Sequence, residues 1–186
     1  MNNKQSYMLG VLSCAITVVI YMENFYNTTI IEKPTYIEVN IPTSKPDFNQ
    51  EVKDINSSLN KSKLKHLLVY TWGLCEEYRV PYDIVKAVIQ TESSWQHKAV
   101  STSNAIGLMQ IKPSTSMSEF KTPGSDLYDP YVNITVGIKY LSRLHDRFGD
   151  WNTALTAYSH GPTVTKTYSH NYINTNFYVS RVISKL

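Results

Sequence analysis

From Leu64 onward the apolar residues recur at helical spacing and never in strand-like alternation, which restricts the chain to a core built from helices. Leu64, Leu67, Leu68, Thr71, Leu74, Cys75 and Tyr78 fall three or four residues apart, and Val80-Pro81 ends that run. A second helix is expected from Tyr82 to Ser94, with Ile84, Val85, Val88 and Ile89 as its apolar stripe. Pro113 suits the first turn of a short helix reaching about Phe120, and Thr122-Pro123-Gly124-Ser125 reads as a turn. Val132, Val136, Tyr140 and Leu144, widened by Ile134, Ile138 and Leu141, mark a long helix that Gly149 stops. Asp150 can cap the next one through Tyr158, Gly161-Pro162 breaks it, and Phe177 to Ile183 forms the last.

One residue violates the pattern. Glu92 falls on the apolar stripe of the second helix, in line with Val88 and Ile89. Burial disfavours the ionised carboxyl, so an inward Glu is either paired with a cation or kept protonated for use as an acid. No Lys or Arg stands at helical spacing on that stripe, which favours the acid; the bland alternative is a Glu at the wet edge of the helix. Beyond it, Ser101 to Asn104 suits a turn, and Ala105-Ile106-Gly107-Leu108-Met109-Gln110-Ile111 is an apolar strip broken by one glycine and one amide. A short buried strand competes for that strip. Glycine there suits close backbone approach, and Gln110 offers both a donor and an acceptor, as a cleft for a sugar requires.

These residues also carry a resemblance. Glu92-Ser93, Ala99-Val100-Ser101, Gly107-Leu108-Met109-Gln110-Ile111 and Pro113-x-Thr115 resemble the signature of the soluble-lytic-transglycosylase (SLT) catalytic domain, family 23 of the glycoside hydrolases, which includes the goose-type lysozymes. Asp129-Pro130, Asn133-Ile134 and Gly137-Ile138-Lys139-Tyr140-Leu141 are similar to a helix of that family. Ala154-Leu155-Thr156-Ala157-Tyr158-Ser159-His160-Gly161-Pro162 is similar to its A-L-x-A-Y-N-x-G-P segment, and Thr175-Asn176-Phe177-Tyr178-Val179 to its ending. The blocks keep the family's order from about Leu64 to the C-terminus. Ser159 stands where the family usually has Asn, and Asn174 where an acidic residue often precedes the Thr.

The resemblance implies an all-α, lysozyme-like domain with a substrate cleft over residues 62–186. It implies that Glu92 is the acid/base of a peptidoglycan lytic transglycosylase, with Ser101, Gln110 and Tyr158 lining the cleft and Met109 and Tyr178 forming its apolar and aromatic wall. Ser159 and Asn174 are expected near that cleft. The bond cut is the β-1,4 link between N-acetylmuramic acid and N-acetylglucosamine, and the product is a 1,6-anhydromuramyl end. Most glycosidases need two carboxylates, but a lone raised-pKa Glu suffices where the substrate supplies its own nucleophile. The nearest later acids are Glu119, Asp126 and Asp129, and Asp129 before Pro130 is better explained as a helix cap. The alternatives are a lysozyme-type muramidase that uses water and a catalytically idle peptidoglycan-binding or scaffold protein.

The rest of the chain frames this domain. Lys4 precedes an apolar run from Tyr7 to Met22, about 24 Å long if helical against a hydrocarbon core of roughly 30 Å. Residues 1–26 therefore read as a signal anchor or a signal peptide, with the anchor favoured because no A-x-A cleavage site follows; lipidation at Cys14 is a minor alternative. Residues 27–61, with prolines at 34, 42 and 46 and no sustained period, read as a weakly ordered linker. The expected location is the cell envelope, on the periplasmic or extracytoplasmic face of the inner membrane. The expected partners are peptidoglycan strands, the membrane through the N-terminal segment, and unidentified cell-wall or secretion machinery.

Residues 61–186 hold 14 Lys and Arg against nine Asp and Glu, a surplus compatible with an anionic polymer or with ordinary solubility. No basic run longer than Lys61-Ser62-Lys63-Leu64-Lys65 exists, and nucleic acid is not expected as a partner. The two cysteines imply no disulfide framework, and Cys75 reads as a small buried hydrophobe. The five histidines never take zinc-site spacing, so neither metal nor cofactor is expected.

Overall fold

The computed structural model describes residues 45–186. Nine α-helices and one 3₁₀ turn make up the regular structure of this part, and no strand occurs among the described residues. The helices are α1 (Phe48–Asp54), α2 (Lys61–Tyr78), α3 (Tyr82–Ser93), α4 (Pro113–Phe120), α5 (Pro130–Phe148), α6 (Trp151–His160), α7 (Pro162–Thr165), α8 (His170–Thr175) and α9 (Phe177–Ile183). The 3₁₀ turn, Gly124–Tyr128, takes up the end of the expected turn before α5.

The expected helix ends follow from residues that settle orphan backbone groups. Asp129 accepts the Tyr131 and Val132 amides at the start of α5, and Gly149, at φ 81°, closes it. Asp150 accepts the Thr153 amide at the start of α6. Ile84, Val85, Val88 and Ile89 of α3 are fully buried, as are Ile134, Ile138 and Leu141 of α5 and Leu67 and Leu68 of α2. These stripes form one core, and Cys75 is a free thiol within it whose titration burial pushes up strongly.

Sequence and structure differ in two places that matter. The stretch expected to be a linker through residue 61 ends in helix α1, whose Phe48 and Val52 belong to the core. Phe48 packs edge-on against Trp72 and Tyr82, and Glu51 accepts the Tyr82 hydroxyl and the Lys86 ammonium, each at 2.7 Å. A seven-residue helix has too few turns to stand alone, so these tertiary contacts hold it in place. The expected N-terminal hydrophobic helix and the rest of the linker, residues 1–44, lie outside the described residues. Among the described residues no helix is long and apolar enough to cross a membrane.

The second difference is the segment 94–112, which is neither helix nor strand. Two isolated bridges, Val100 with Ile106 and Ile106 with Ile111, fold it into a compact loop between α3 and α4. Asn133 of α5 is fully buried beneath it. Its Oδ1 accepts the Met109 amide at 2.8 Å, and its Nδ2 donates to the carbonyls of Ile106 and Leu127 at 2.8 and 3.0 Å. One amide side chain thus fixes the loop, the 3₁₀ turn and α5 together. Gly107 crosses this knot at φ 80°, where a Cβ would run into the Asn133 amide and the Leu127 carbonyl.

Candidate active site

Helix α3 delivers Glu92 to a cleft whose other side is built by the 94–112 loop and helices α6 and α9. The cleft encloses about 390 Å³ and has Glu92, Ser101, Gln110, Tyr158 and Tyr178 in its lining. Five of the six expected site residues therefore meet in one place. Glu92 is the only acid among the lining residues.

Glu92 is held by a residue from the far end of the chain. The Tyr178 hydroxyl of α9 donates to Glu92 Oε1 at 2.7 Å. Burial pushes the Glu92 carboxyl above the usual range, while the Tyr178 hydrogen bond and the Arg181 charge pull the other way and lose. Arg181 makes no ion pair with it; the guanidinium donates instead to the Thr91 carbonyl at 3.1 Å. Among the described residues no salt bridge pairs Glu92 with a cation, and burial favours its neutral form. Burial and the Glu92 charge hold the Tyr158 and Tyr178 phenols protonated well past their ordinary range, so both remain hydrogen-bond donors.

The opposite wall is set by side-chain bonds to the backbone of the loop. The Tyr158 hydroxyl of α6 donates to the Met109 carbonyl at 2.7 Å, bolting the loop to that helix. Gln110, at φ 49°, spends its amide protons on the carbonyls of Ala99 and Gly107, at 3.1 and 3.0 Å, which leaves Oε1 as the acceptor it can offer to a ligand. Ser101 Oγ accepts the Ala105 amide at 3.0 Å and retains its own proton for donation.

Met109 is placed differently from expectation. Its side chain is fully buried and packs on Gly137 of α5, in space that any Cβ there would occupy, so it backs the cleft wall and does not face it. The apolar lining comes from Ala105 and Ile111 instead. Asn174 is likewise not a cleft residue: its Oδ1 accepts from Asn152 at 3.1 Å, whereas Ser159 does line the cleft. Sequence reasoning missed Lys112, Thr115, Tyr140 and His160, which also line it. Tyr140 carried the signal of a long helix's apolar face, and its ring packs on Tyr158 at 5.6 Å. Lys112 and His160 gave no signal. Among the described residues no group of His, Cys, Asp or Glu could hold a metal ion.

The site is a single half-buried acid in a cleft of a helical domain. The family model for the transglycosylase SLT domain matches residues 74–179, more than half of the 186-residue chain. The chain belongs to the SLT-domain family. Over 148 residues the chain is 32% identical to the membrane-bound lytic murein transglycosylase E of Buchnera aphidicola subsp. Acyrthosiphon pisum, covering 75% of the chain and 59% of that protein. It is 44% identical over 87 residues to the transglycosylase of Enterobacteria phage PRD1, covering 47% of the chain and 31% of that protein. The chain thus spans 59% of the length of one relative and 31% of the other. Among solved structures it matches an inactive mutant of the lytic transglycosylase Slt of Pseudomonas aeruginosa at 26% identity and a TM-score of 0.53, over 63% of this chain and 22% of that one. It also matches the 70 kDa soluble lytic transglycosylase of Escherichia coli at 23% identity and a TM-score of 0.58, over 74% and 28% of the two chains, a likeness of fold. The lysozyme-like, helical character of this SLT domain is therefore shared with both.

Proposed function

We propose that the protein is a peptidoglycan lytic transglycosylase in which Glu92 is both acid and base. The observation that carries this reading is a lone, half-buried carboxyl whose pKa burial raises, in a cleft with no second carboxylate among the described lining residues. A two-carboxylate mechanism has no partner for Glu92 here, so the nucleophile must come from elsewhere. The muramyl 6-hydroxyl supplies it. Glu92 protonates the glycosidic oxygen as its bond to the muramyl C1 breaks, and the N-acetylglucosamine side leaves with a free 4-hydroxyl. The resulting carboxylate then takes the proton of the 6-hydroxyl while that oxygen bonds to C1. A 1,6-anhydro ring closes, Glu92 is protonated again, and no water is consumed.

In this reading Tyr178 orients Glu92 and steadies it while ionised, Tyr158 holds the opposite wall, and Gln110 Oε1 and Ser101 Oγ meet the amide and hydroxyl groups of the sugar. Met109 serves through its backbone and as packing. Residues 62–186, completed by α1 packed on their core, form the catalytic domain, residues 1–26 anchor it to the membrane, and the segment before α1 tethers it, so that it works in the cell envelope outside the inner membrane. The Buchnera relative's name, membrane-bound lytic murein transglycosylase E, supports that location.

Mass spectrometry of digested glycan strands tests the chemistry, because anhydro ends are about one water lighter than reducing ends. Anhydro ends alone are expected. Reducing ends alone would make the protein a muramidase, and glycan binding without turnover would make it a scaffold. Glu92→Gln should lower cleavage by roughly 10²–10⁴-fold, the usual contribution of a general acid, and a loss of about tenfold or less would remove Glu92 from the role. Fractionation of cells carrying the chain with and without residues 1–26 tests the anchor: membrane association should be lost with the segment.

A further inference from the structure

A cavity larger than the cleft lies elsewhere on the helical domain. A groove of about 730 Å³ runs between α2, α4 and α5 and shares no lining residue with the site of Glu92. Its floor and walls carry four aromatic rings, Tyr70, Tyr78, Phe120 and Tyr131. Tyr70 is 39% exposed, its ring meets Tyr131 edge-on at 5.2 Å, and its hydroxyl is 2.8 Å from Thr135 Oγ1, so the ring is held rigidly while presenting surface. Rigid, half-exposed rings with hydroxyls at their edges are what a sugar needs, since its C–H face stacks and its rim hydrogen-bonds.

The charges around those rings select further. Lys121, Lys139 and Arg143 line the groove against two acids, Glu119 and Asp146. Arg143 is committed: it pairs with Glu119 at 3.3 Å and lies over the Phe120 ring at 4.4 Å. Lys139 sits 5.4 Å from the centre of the Tyr78 ring, and among the described residues neither Lys139 nor Lys121 is in a salt bridge. These two ammonium groups, Lys139 beside the Tyr78 face and Lys121 donating at 3.4 Å to the Ser118 carbonyl, complement a carbohydrate that bears carboxylates. The groove also begins where the cleft wall ends. Thr115, early in α4, lines the cleft and Phe120 at its end lines the groove, while Tyr140 lines the cleft and meets the Phe120 ring edge-on at 6.4 Å.

We propose that this groove is a second peptidoglycan-binding site, its rings stacking on glycan sugars and Lys121 and Lys139 taking the carboxylates of the stem peptides. The proposal rests on the reading of the protein as a peptidoglycan enzyme, and it gives the groove a task the cleft cannot perform. On an insoluble polymer, a second attachment makes each rebinding at the cleft intramolecular and slows escape from the wall. On a short soluble fragment it does nothing.

The test uses the chain of residues 1–186 carrying Glu92→Gln, so that bound wall is not cut, and measures co-sedimentation with purified sacculi. Tyr70→Ala and Lys139→Glu, each added to that chain, should weaken sacculus binding at least about fivefold, a modest part of the avidity that two linked sites can provide. The same two substitutions in the chain with Glu92 intact should leave turnover of short soluble glycans unchanged, which also reports that each variant is folded. Sacculus binding weakened less than about fivefold in both variants overturns the proposal, and so does a parallel loss of turnover on short glycans. Cleavage persisting in the Glu92→Gln chain would overturn the catalytic assignment and leave the groove measurement standing, so the two failures are told apart.

Discussion

Tyr178→Phe isolates the one hydrogen bond that acts directly on the proposed acid. The phenol donates to Glu92 Oε1 at 2.7 Å, and a donor favours the carboxylate over the neutral acid. Hydrogen bonds to charged groups contribute about 1.5–3 kcal/mol, and roughly half of that disappears when the acceptor is the neutral acid. Losing this donor should therefore raise the Glu92 pKa further. The sign follows: Glu92 already lies above the usual range through burial, Tyr178 and Arg181 oppose that rise, and removing the larger of the two opponents lets it climb. A general acid works only while protonated, so the alkaline limb of the pH–rate profile falls where Glu92 ionises and should move up with it. The plateau should drop by about tenfold, because the carboxyl is no longer aimed at the scissile oxygen. Release of anhydromuropeptides from soluble strands, followed by mass spectrometry between pH 4 and 9, separates the two effects. An alkaline limb that stays put or moves down refutes the assignment of Tyr178 as the donor that restrains Glu92.

The other perturbations read out different parts of the same construction. Glu92→Gln should raise the thermal midpoint, and more so at neutral pH than at pH 4. The folded state holds the Glu92 pKa above its unfolded value, so the protonated form's advantage is complete below the unfolded pKa and lost as pH rises through the folded one; the amide escapes that loss. A larger gain at pH 4 in calorimetry would contradict the burial argument. Asn133→Ala removes an amide that makes three bonds to buried backbone, and should cost about 3 kcal/mol in urea unfolding while lowering turnover by displacing Gln110. Gly107→Ala meets both a left-handed φ and the Asn133 amide, so a loss of about 2–4 kcal/mol is expected in the same assay; a cost under 1 kcal/mol would show that the loop can rearrange.

What the sequence encodes legibly is whatever is local. Gly149, Asp150 and Pro113 mark helix ends because capping chemistry acts within a turn of the residue that supplies it, and the stripes of α2, α3 and α5 are visible because burial follows the helical period. Helix α1 is not legible, since Phe48 and Glu51 are held by Trp72, Tyr82 and Lys86, far along the chain. The strip 105–111 misleads for a related reason. Left-handed backbone at Gly107 and Gln110 turns Met109 inward against Gly137, and no period reports which way a residue faces in an irregular loop. Glu92 is visible because it breaks the stripe of its own helix, yet the groups that temper the effect of its burial, the Tyr178 hydroxyl and the Arg181 charge, come from the far end of the chain. The cleft is where such distant bonds converge: Asn133 fixes the loop to α5, Tyr158 fixes it to α6, and Tyr178 fixes the carboxyl opposite it. Helical period supplies rigid supports, and a few buried donors decide which polar atoms those supports present to a sugar. Substitutions at those donors should therefore alter rate and pH dependence, as core substitutions of equal cost in stability should not.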